Sequence, residues 1–352
     1  MVGLFKNGTL IPMIGVDFGS QSLKAVTLHG SASKPRLESI ADVQMPKGAL
    51  IDYQVQDIER VSQSLKTLKR QLVGSNQNVA TAVTGSNVIT KVILVDAGLS
   101  EGELEDQVQR EAEQLISYPL DEVSLDFEVL AGASEATRQR VLLSAARTES
   151  VSGRVSALAE AELTARVVDV GAHALVRAVL ACQPDLASLE KPVAVIDIGA
   201  STMTFASVQK GEVTYFRLQN FGGDQYSQAI SSFYNLPLDE SELAKTQNQL
   251  PEGHETEVLQ PYLQSLLQQV RRNIQLFVSS SGQRELSKLV LTGGGSLVAG
   301  LADMLHQELS LEVLHPDPFA LFGHSGGDGR GHGAKYMTAF GLALRSFTQC
   351  QI

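Results

Sequence analysis

Hydrophobic positions along this chain follow two rhythms: short apolar blocks of strand length, and three- and four-residue spacings that mark one buried helical face. The clearest blocks bracket one small pattern, present twice. Around Asp17 the chain reads Ile14-Gly-Val-Asp17-Phe-Gly19-Ser20-Gln21-Ser22-Leu-Lys24-Ala-Val. Around Asp197, 180 positions on, it reads Val195-Ile-Asp197-Ile-Gly199-Ala200-Ser201-Thr202-Met-Thr204-Phe-Ala. Each copy predicts an apolar strand ending in Asp-x-Gly-x-x-Ser/Thr, a tight turn and a second apolar strand. After the first copy come strands over 22–28 and 36–44. A helix follows, with Ile58, Val61, Leu65, Leu68 and Leu72 on its buried face. After the second come strands over 202–209 and 212–218, then Gly222-Gly223-Asp224 and a helix through Ile230 and Phe233. Strand, strand, strand, helix thus occurs twice, and a duplicated α/β unit with a cleft between its halves is the simplest account.

The stretch between the halves has a different rhythm. It predicts a strand over 87–95 and an acidic helix over 104–116, opened by the cap signature Ser100-Glu-Gly-Glu103. A strand over 124–130, a polar turn over 132–139, a strand over 141–146 and a helix over 151–161 complete an inserted α+β unit. A strand over 165–169 and a helix over 172–181 lead back out, and 183–192 is the linker. In the second half, Leu259, Leu263, Leu266, Val270, Ile274 and Phe277 mark a helix over 258–278. A strand over 288–291 then runs into Thr292-Gly293-Gly294-Gly295-Ser296 and a helix ending near Leu309; a Gly/His-rich loop over 323–333 precedes a last helix over 334–347. The resulting division is a first lobe of 1–88 and 165–190, an insert of 89–164, and a second lobe of 191–222 and 287–352 with a helical subdomain of 223–286.

At 352 residues the chain is long enough for several domains with real cores. Its formal net charge of −11, with no basic stripe, argues against nucleic acid as a partner. Two cysteines, Cys182 and Cys350, make no disulfide framework, which suits a cytosolic protein. The opening Met1-Val-Gly-Leu-Phe-Lys6 is too short and too polar for a signal peptide, and no apolar run approaches membrane-spanning length, so no direct membrane insertion is expected.

The chemistry lies in the turns. Backbone N–H groups of a tight Gly turn hold phosphate oxygens, and an Asp at the strand end can hold Mg²⁺ through water. Asp17 and Asp197 are turn caps on the plainer reading. Their equivalent places in both copies favour the metal. Lys24 either pairs with terminal phosphates or is a solvated strand lysine. Glu242-Leu-Ala-Lys245 is a helical i,i+3 pair that either stays a surface ion pair or reaches a ribose or base. The triple glycine, between strand and helix, lets a nucleotide approach bare backbone. His315, His324 and His332 lack metal-ligand spacing and read as loop residues, and no Ser/His/Asp arrangement emerges.

These motifs resemble the actin-like ATPase superfamily, which includes actin, sugar kinases, heat-shock ATPases, MreB and FtsA. The resemblance implies that the two Asp-x-Gly hairpins are phosphate loops, Gly-Gly-Gly an adenosine loop, and Glu-x-x-Lys a ribose and base contact. ATP or ADP with Mg²⁺ would then be held by Asp17, Gly19, Ser20, Gln21, Ser22, Lys24, Asp197, Gly199, Ala200, Ser201, Thr202, Gly222, Gly223, Asp224, Glu242, Lys245 and Gly293, Gly294, Gly295 and Ser296. Gly341, in Ala339-Phe-Gly-Leu-Ala, matches that fold's small-residue connecting helix. Arg110-Glu-Ala-Glu113, Tyr118-Pro-Leu-Asp-Glu-Val-Ser-Leu-Asp126-Phe, Ala145-Ala-Arg147, Val168-Asp169-Val170 and the terminal Gly-Leu-Ala-Leu-Arg345 narrow the likeness to the PilM family of type IV pilus assembly, in the FtsA/PilM branch.

That family implies two actin-like lobes with an inserted α+β subdomain. A groove beside the insert, between 87–146 and the first lobe, would receive the N-terminal cytoplasmic peptide of the inner-membrane protein PilN, placing a cytoplasmic protein peripherally at the inner membrane. A buttressing role for the insert stays open. Asp169, at the end of the exit strand, is expected near the cleft's entrance as a water or metal ligand. Gly171 after it departs from the polar residue expected there and argues for at most slow hydrolysis. The expected function is an ATP-binding pilus scaffold. A filament former of FtsA type, a type II secretion or MSHA-pilus homologue, and a small-molecule kinase or phosphatase remain as other classes, and a homo-oligomer stays open.

Overall fold

The molecule is known from a computed structural model that describes residues 10–85, 88–130, 137–247, 249–283, 285–323 and 333–348. Met1 to Lys6, Asn87, the first part of the polar turn (132–136), His324, His332 and Cys350 lie outside the described residues.

Each copy of the repeat forms a meander. β1 (Ile14–Phe18) pairs antiparallel with β2 (Ser22–Ser31), which pairs with β3 (Lys34–Gln44). A two-stranded hairpin, β4 (Leu50–Ile51) and β5 (Gln54–Val55), leads to α1 (Ile58–Gln71). Asp57 caps α1 by accepting the Arg60 N–H, and Val61, Leu65 and Leu68 bury its apolar stripe. Next comes a strand the hydrophobic pattern does not announce, β6 (Asn78–Val83), parallel to β1. Its last five residues are all buried, so it lacks the alternation that marks a half-exposed strand.

The insert is a three-stranded antiparallel sheet in the order β7-β9-β8, formed by β7 (Val88–Asp96), β8 (Val123–Val129) and β9 (Arg138–Arg147). Between β7 and β8, α2 (Glu101–Leu115) covers one face, packing Val108, Ala112 and the following Ile116 on Ile93, Val95, Val141 and Leu143. Ser100 and Glu103 close its capping box. α3 (Thr148–Glu160) continues directly from β9 but buries Ala157 and Leu158 with α1, in the first lobe's core. β10 (Thr164–Val170) then pairs parallel with β6, completing the order β10-β6-β1-β2-β3.

α4 (Gly171–Cys182) and a 3₁₀ turn at Pro184–Ser188 cross to the second lobe. There β11 (Val193–Ile198), β12 (Met203–Gln209) and β13 (Glu212–Gln219) repeat the meander. α5 (Gly223–Tyr234), α6 (Leu238–Thr246) and the long α7 (Gln260–Ser281) make the helical part. β14 (Lys288–Thr292), α8 (Leu301–Leu309) and β15 (Glu312–Leu314) follow, and the sheet order is β13-β12-β11-β14-β15. The two five-stranded sheets share one topology, with β14 and β15 in the places of β6 and β10.

After α9 (Pro318–Phe322), α10 (Met337–Ala343) returns to the first lobe and packs on α4 and β1. These two helices crowd at Gly341, where a Cβ would stand 1.8 Å from the Ala174 carbonyl oxygen. Leu175, Val179, Phe340 and Ala343 share one buried cluster with Val26 of the first sheet and Val195 and Ala206 of the second. The lobes therefore meet through a common apolar core, and Leu175 of that core also lines the cleft. Among the described residues, no helix is long and apolar enough to cross a membrane.

Candidate functional site

The two turns are built alike. Gly19 N–H donates to the Ser22 carbonyl at 3.1 Å, and Gly199 N–H to the Thr202 carbonyl at 2.8 Å. Both turns open into one cleft of about 920 Å³ between the lobes. Asp17, Gly19, Ser20, Gln21, Ser22 and Lys24 line it from the first lobe. Asp197, Gly199, Ala200, Thr202, Gly223, Glu242, Lys245 and Gly293 to Gly295 line it from the second.

The third glycine segment reaches the cleft because β14 lies parallel to β11, with Thr292 beside Asp197. Gly293 has φ +88°, and a Cβ there would lie 2.4 Å from the Ile198 carbonyl oxygen. No L side chain fits that approach. A 3₁₀ turn at Gly294–Leu297 follows, so the expected direct entry into a helix is delayed until Leu301.

The charges are arranged unequally. Lys24 Nζ lies 3.5 Å from the Asp17 carboxylate. Asp197 accepts a 2.9 Å hydrogen bond from the Thr292 hydroxyl. Burial, reinforced by the Asp17 charge, pushes the Asp197 carboxyl up to about 6 against the opposing pull of Thr292 and Lys24. Lys245 Nζ contacts Glu242 at 2.5 Å, Ser227 Oγ at 2.7 Å and the Gly223 carbonyl at 3.2 Å. Burial would raise the Glu242 carboxyl, but hydrogen bonds from Lys245, Ser227 and Gln21 outweigh it and hold it below the ordinary value. The pair is therefore built into the cleft wall, and it meets Gln21 from the opposite lobe.

Four expected residues stand behind the wall. A Cβ on Gly222 would come within 2.5 Å of the Gly199 and Ala200 carbonyls, which also accept from the N–H groups of Gly223 and Asp224. The Ser296 hydroxyl donates to the Gly293 carbonyl at 2.6 Å and meets His315 Nε2 at 2.8 Å. Ser201 belongs to the second turn without lining the cleft, and Asp224, half-buried, opens α5.

Asp169 is the correction. Its carboxylate is not in the cleft wall. It pairs with Arg177 at 2.9 Å and Arg345 at 3.3 Å, while Arg177 also donates to the Gly341 carbonyl. Burial alone would raise this carboxyl; the two arginines outweigh it and hold it low. Asp169 is thus an ionic clamp joining β10, α4 and the segment after α10.

The sequence reading missed several wall residues. Tyr53 crosses from the β4–β5 turn to hydrogen-bond the Thr202 hydroxyl in the second lobe. Lys335 meets Asp42 across the cleft at 2.7 Å. Neither carries a motif; only the fold brings them in. At the rim, Lys47 and Asp239 form a further bridge between the lobes at 2.7 Å.

A metal–nucleotide suits these residues. Two strand-end carboxylates face one space, one of them short of a cation, and glycine turns expose backbone on both sides. Among the described residues there is no cluster of three or more acidic, His or Cys ligands.

Two duplicated lobes, a connecting helix pair and a shared cleft between Asp-x-Gly turns define an actin-like ATPase fold with an inserted α+β subdomain. Residues 15–347 match the family model described as type IV pilus assembly protein PilM, and the chain belongs to that family. The structure of a PilM–PilN type IV pilus biogenesis complex superposes with a TM-score of 0.82 at 27% identity, covering 97% of this chain and 100% of that one. Ethanolamine utilization protein EutJ from Carboxydothermus hydrogenoformans shares the fold, with a TM-score of 0.58 at 17% identity over 96% of this chain and 92% of that one. In sequence, the EutJ of Escherichia coli (strain K12) is 28% identical over 141 residues, 39% of this chain and 46% of that protein, so the match spans less than half of it.

Proposed function

We propose that this chain is a cytoplasmic nucleotide-binding scaffold of type IV pilus assembly. In this reading it binds ATP or ADP with Mg²⁺ in its cleft and the N-terminal cytoplasmic peptide of PilN at its insert. The observation that carries the nucleotide half is the convergence of three separate glycine segments, with Asp17 and Asp197, on one cleft. The turns at Gly19 and Gly199 would hold phosphates, Asp17 and Asp197 would hold Mg²⁺ through its waters, and Gly293 to Gly295 with the Glu242–Lys245 pair would hold the nucleoside. Bound Mg²⁺ supplies positive charge where two carboxylates and a polyphosphate would otherwise repel one another.

Ligand binding would act through differential affinity for the closed arrangement. Contacts across the cleft already run from Gln21 to Glu242, Lys335 to Asp42 and Lys47 to Asp239. Partner binding is supported by family membership and by the likeness to a PilM bound to PilN. The insert has a physical route to the second lobe, since Arg140 of β9 grips Glu212 of β13 with two hydrogen bonds of 3.1 and 2.6 Å. Attachment to the inner membrane would come from the partner.

Calorimetric titration with the PilN N-terminal peptide, with and without Mg-ATP, tests the reading. Binding on the order of micromolar that changes with nucleotide is expected, a free energy of roughly −8 kcal/mol. Nucleotide binding with no peptide binding would move the assignment to a filament former or kinase.

A further inference from the structure

We propose that Tyr53 is the residue by which the cleft distinguishes a nucleoside triphosphate from a diphosphate, its hydroxyl exchanging Thr202 for the terminal phosphate; this rests on the nucleotide reading above. Tyr53 belongs to the two-residue turn of the β4–β5 hairpin. Asp52 and Tyr53 there take φ +48° and +61°. Such turns favour Asn-Gly or Asp-Gly because both central residues are left-handed, and an aromatic residue is an unfavourable choice. The conformation is held from below. Arg154 of α3, only 1% exposed, donates from Nη2 to the Tyr53 carbonyl at 2.7 Å and from Nη1 to the Ser150 carbonyl at 2.7 Å.

Held in this way, the ring projects into the cleft and its hydroxyl reaches the Thr202 hydroxyl of the opposite lobe. Asp17 and Asp197 line the same cleft and are its charged neighbours. Burial, with those two charges, pushes the phenol up to about 12, so it carries its proton at neutral pH and acts as a donor. Thr202 belongs to the second phosphate turn. A polyphosphate that engages this turn competes for the same phenolic proton, and an anionic phosphate oxygen accepts it more strongly than a neutral hydroxyl. A diphosphate that ends short of Tyr53 leaves the Thr202 bond in place.

The exchange has a route outward. The Tyr53 carbonyl rests on Arg154, and α3 follows β9, the central strand of the insert, without a break. A shift of the hairpin is therefore felt by the helix that continues the partner-binding unit.

The test is Tyr53→Phe, which keeps the ring and removes the donor, with Mg-ATP and Mg-ADP titrated calorimetrically into both proteins. ATP affinity should fall roughly 3- to 10-fold in the variant while ADP affinity changes less than about twofold. An equal effect on both nucleotides, or tighter ATP binding, overturns the proposal. Wild-type protein that binds neither nucleotide overturns the nucleotide reading itself, a separable failure. Amide hydrogen exchange supplies a second readout. In the wild type, ATP but not ADP should alter exchange over 50–55 and 148–160, and the variant should lose that difference. Identical exchange with the two nucleotides in the wild type also overturns the proposal. Thermal unfolding of the variant within a few degrees of wild type establishes that the fold is intact.

Discussion

Replacing Asp197 by Asn should stabilise the protein in the absence of nucleotide, and the gain should depend on pH in a defined way. The carboxyl is pushed up to about 6 in the folded chain by burial and the nearby Asp17 charge. An unfolded Asp titrates near 3.9. Below about pH 4 both states carry the proton, and the charge costs nothing. As pH rises, the unfolded state releases its proton first, so wild-type stability falls through the window from about 4 to 6. Two pKa units correspond to about 3 kcal/mol at full effect. Partial solvent contact in the cleft reduces this to about 1–2 kcal/mol. Asn is isosteric, and its carbonyl oxygen can still accept from Thr292, so the hydrogen bond at 2.9 Å is not lost with the charge. The assay is urea unfolding of both proteins from pH 4 to 8 in a chelating buffer. The stability gap should be near zero at pH 4 and open through pH 6 to a plateau in favour of Asp197→Asn. Adding Mg²⁺ with ATP should then close it by stabilising the wild type alone. Parallel pH profiles, with no opening gap, would refute the argument that Asp197 is a buried charge awaiting a cation.

Further outcomes rest on packing, on helix propensity and on the tie between insert and second lobe. Gly341→Ala should destabilise the fold by about 1–3 kcal/mol or more through overpacking, because its Cβ would sit 1.8 Å from the Ala174 carbonyl oxygen. Gly102→Ala, in α2 with no atom within 4 Å of the new methyl, should instead stabilise by about 0.5–1 kcal/mol; thermal unfolding of both variants separates packing from helix propensity. The Arg140–Glu212 contact is partly exposed, at 33% and 38% for the two side chains, so a double-mutant cycle with Arg140→Met and Glu212→Gln should give a stability coupling of only about 0.2–1 kcal/mol. Its larger effect should be to weaken the dependence of PilN-peptide affinity on nucleotide.

How much of this was legible in the sequence depends on the length scale of each signal. Turn chemistry is local, so Asp17, Gly19, Asp197, Gly199 and the triple glycine could be placed at the cleft from spacing alone. Helices with one buried stripe, such as α1 and α7, were equally plain. Strands buried on both faces were not. β6, reading Asn-Val-Ala-Thr-Ala-Val, has neither alternation nor large side chains. The duplication held the missing clue, because β14 occupies the same place in the second lobe and was read from its position before Gly293. Tyr53 and Lys335 had no local signature, since their role comes from a hairpin and a chain return that carry them across the cleft. Asp169 misled for the converse reason. A carboxylate ending a strand beside the cleft looks like the other two, and only Arg177 and Arg345, 8 and 176 positions away, show where it points.

The duplication is also where the two lobes part company, and the difference is one side chain. In the first lobe Asp17 lies opposite Lys24 across the β1–β2 pair, and the ammonium reaches the carboxylate. In the second lobe the same register sets Asp197 opposite Thr204, which brings no charge. The first half thus carries its own counter-cation, whereas the second half has a hydroxyl from Thr292 and the more distant Lys24. Burial raises the Asp197 carboxyl, and the nearby Asp17 charge adds to the rise against the pull of Thr292 and Lys24. A cation brought from outside the chain would therefore gain most at Asp197, and that gain depends on the lobes being close enough for Asp17 to be felt. On the proposed reading, binding of a metal–nucleotide and closure of the cleft would then be linked through this asymmetric pair, without any requirement that the nucleotide be hydrolysed.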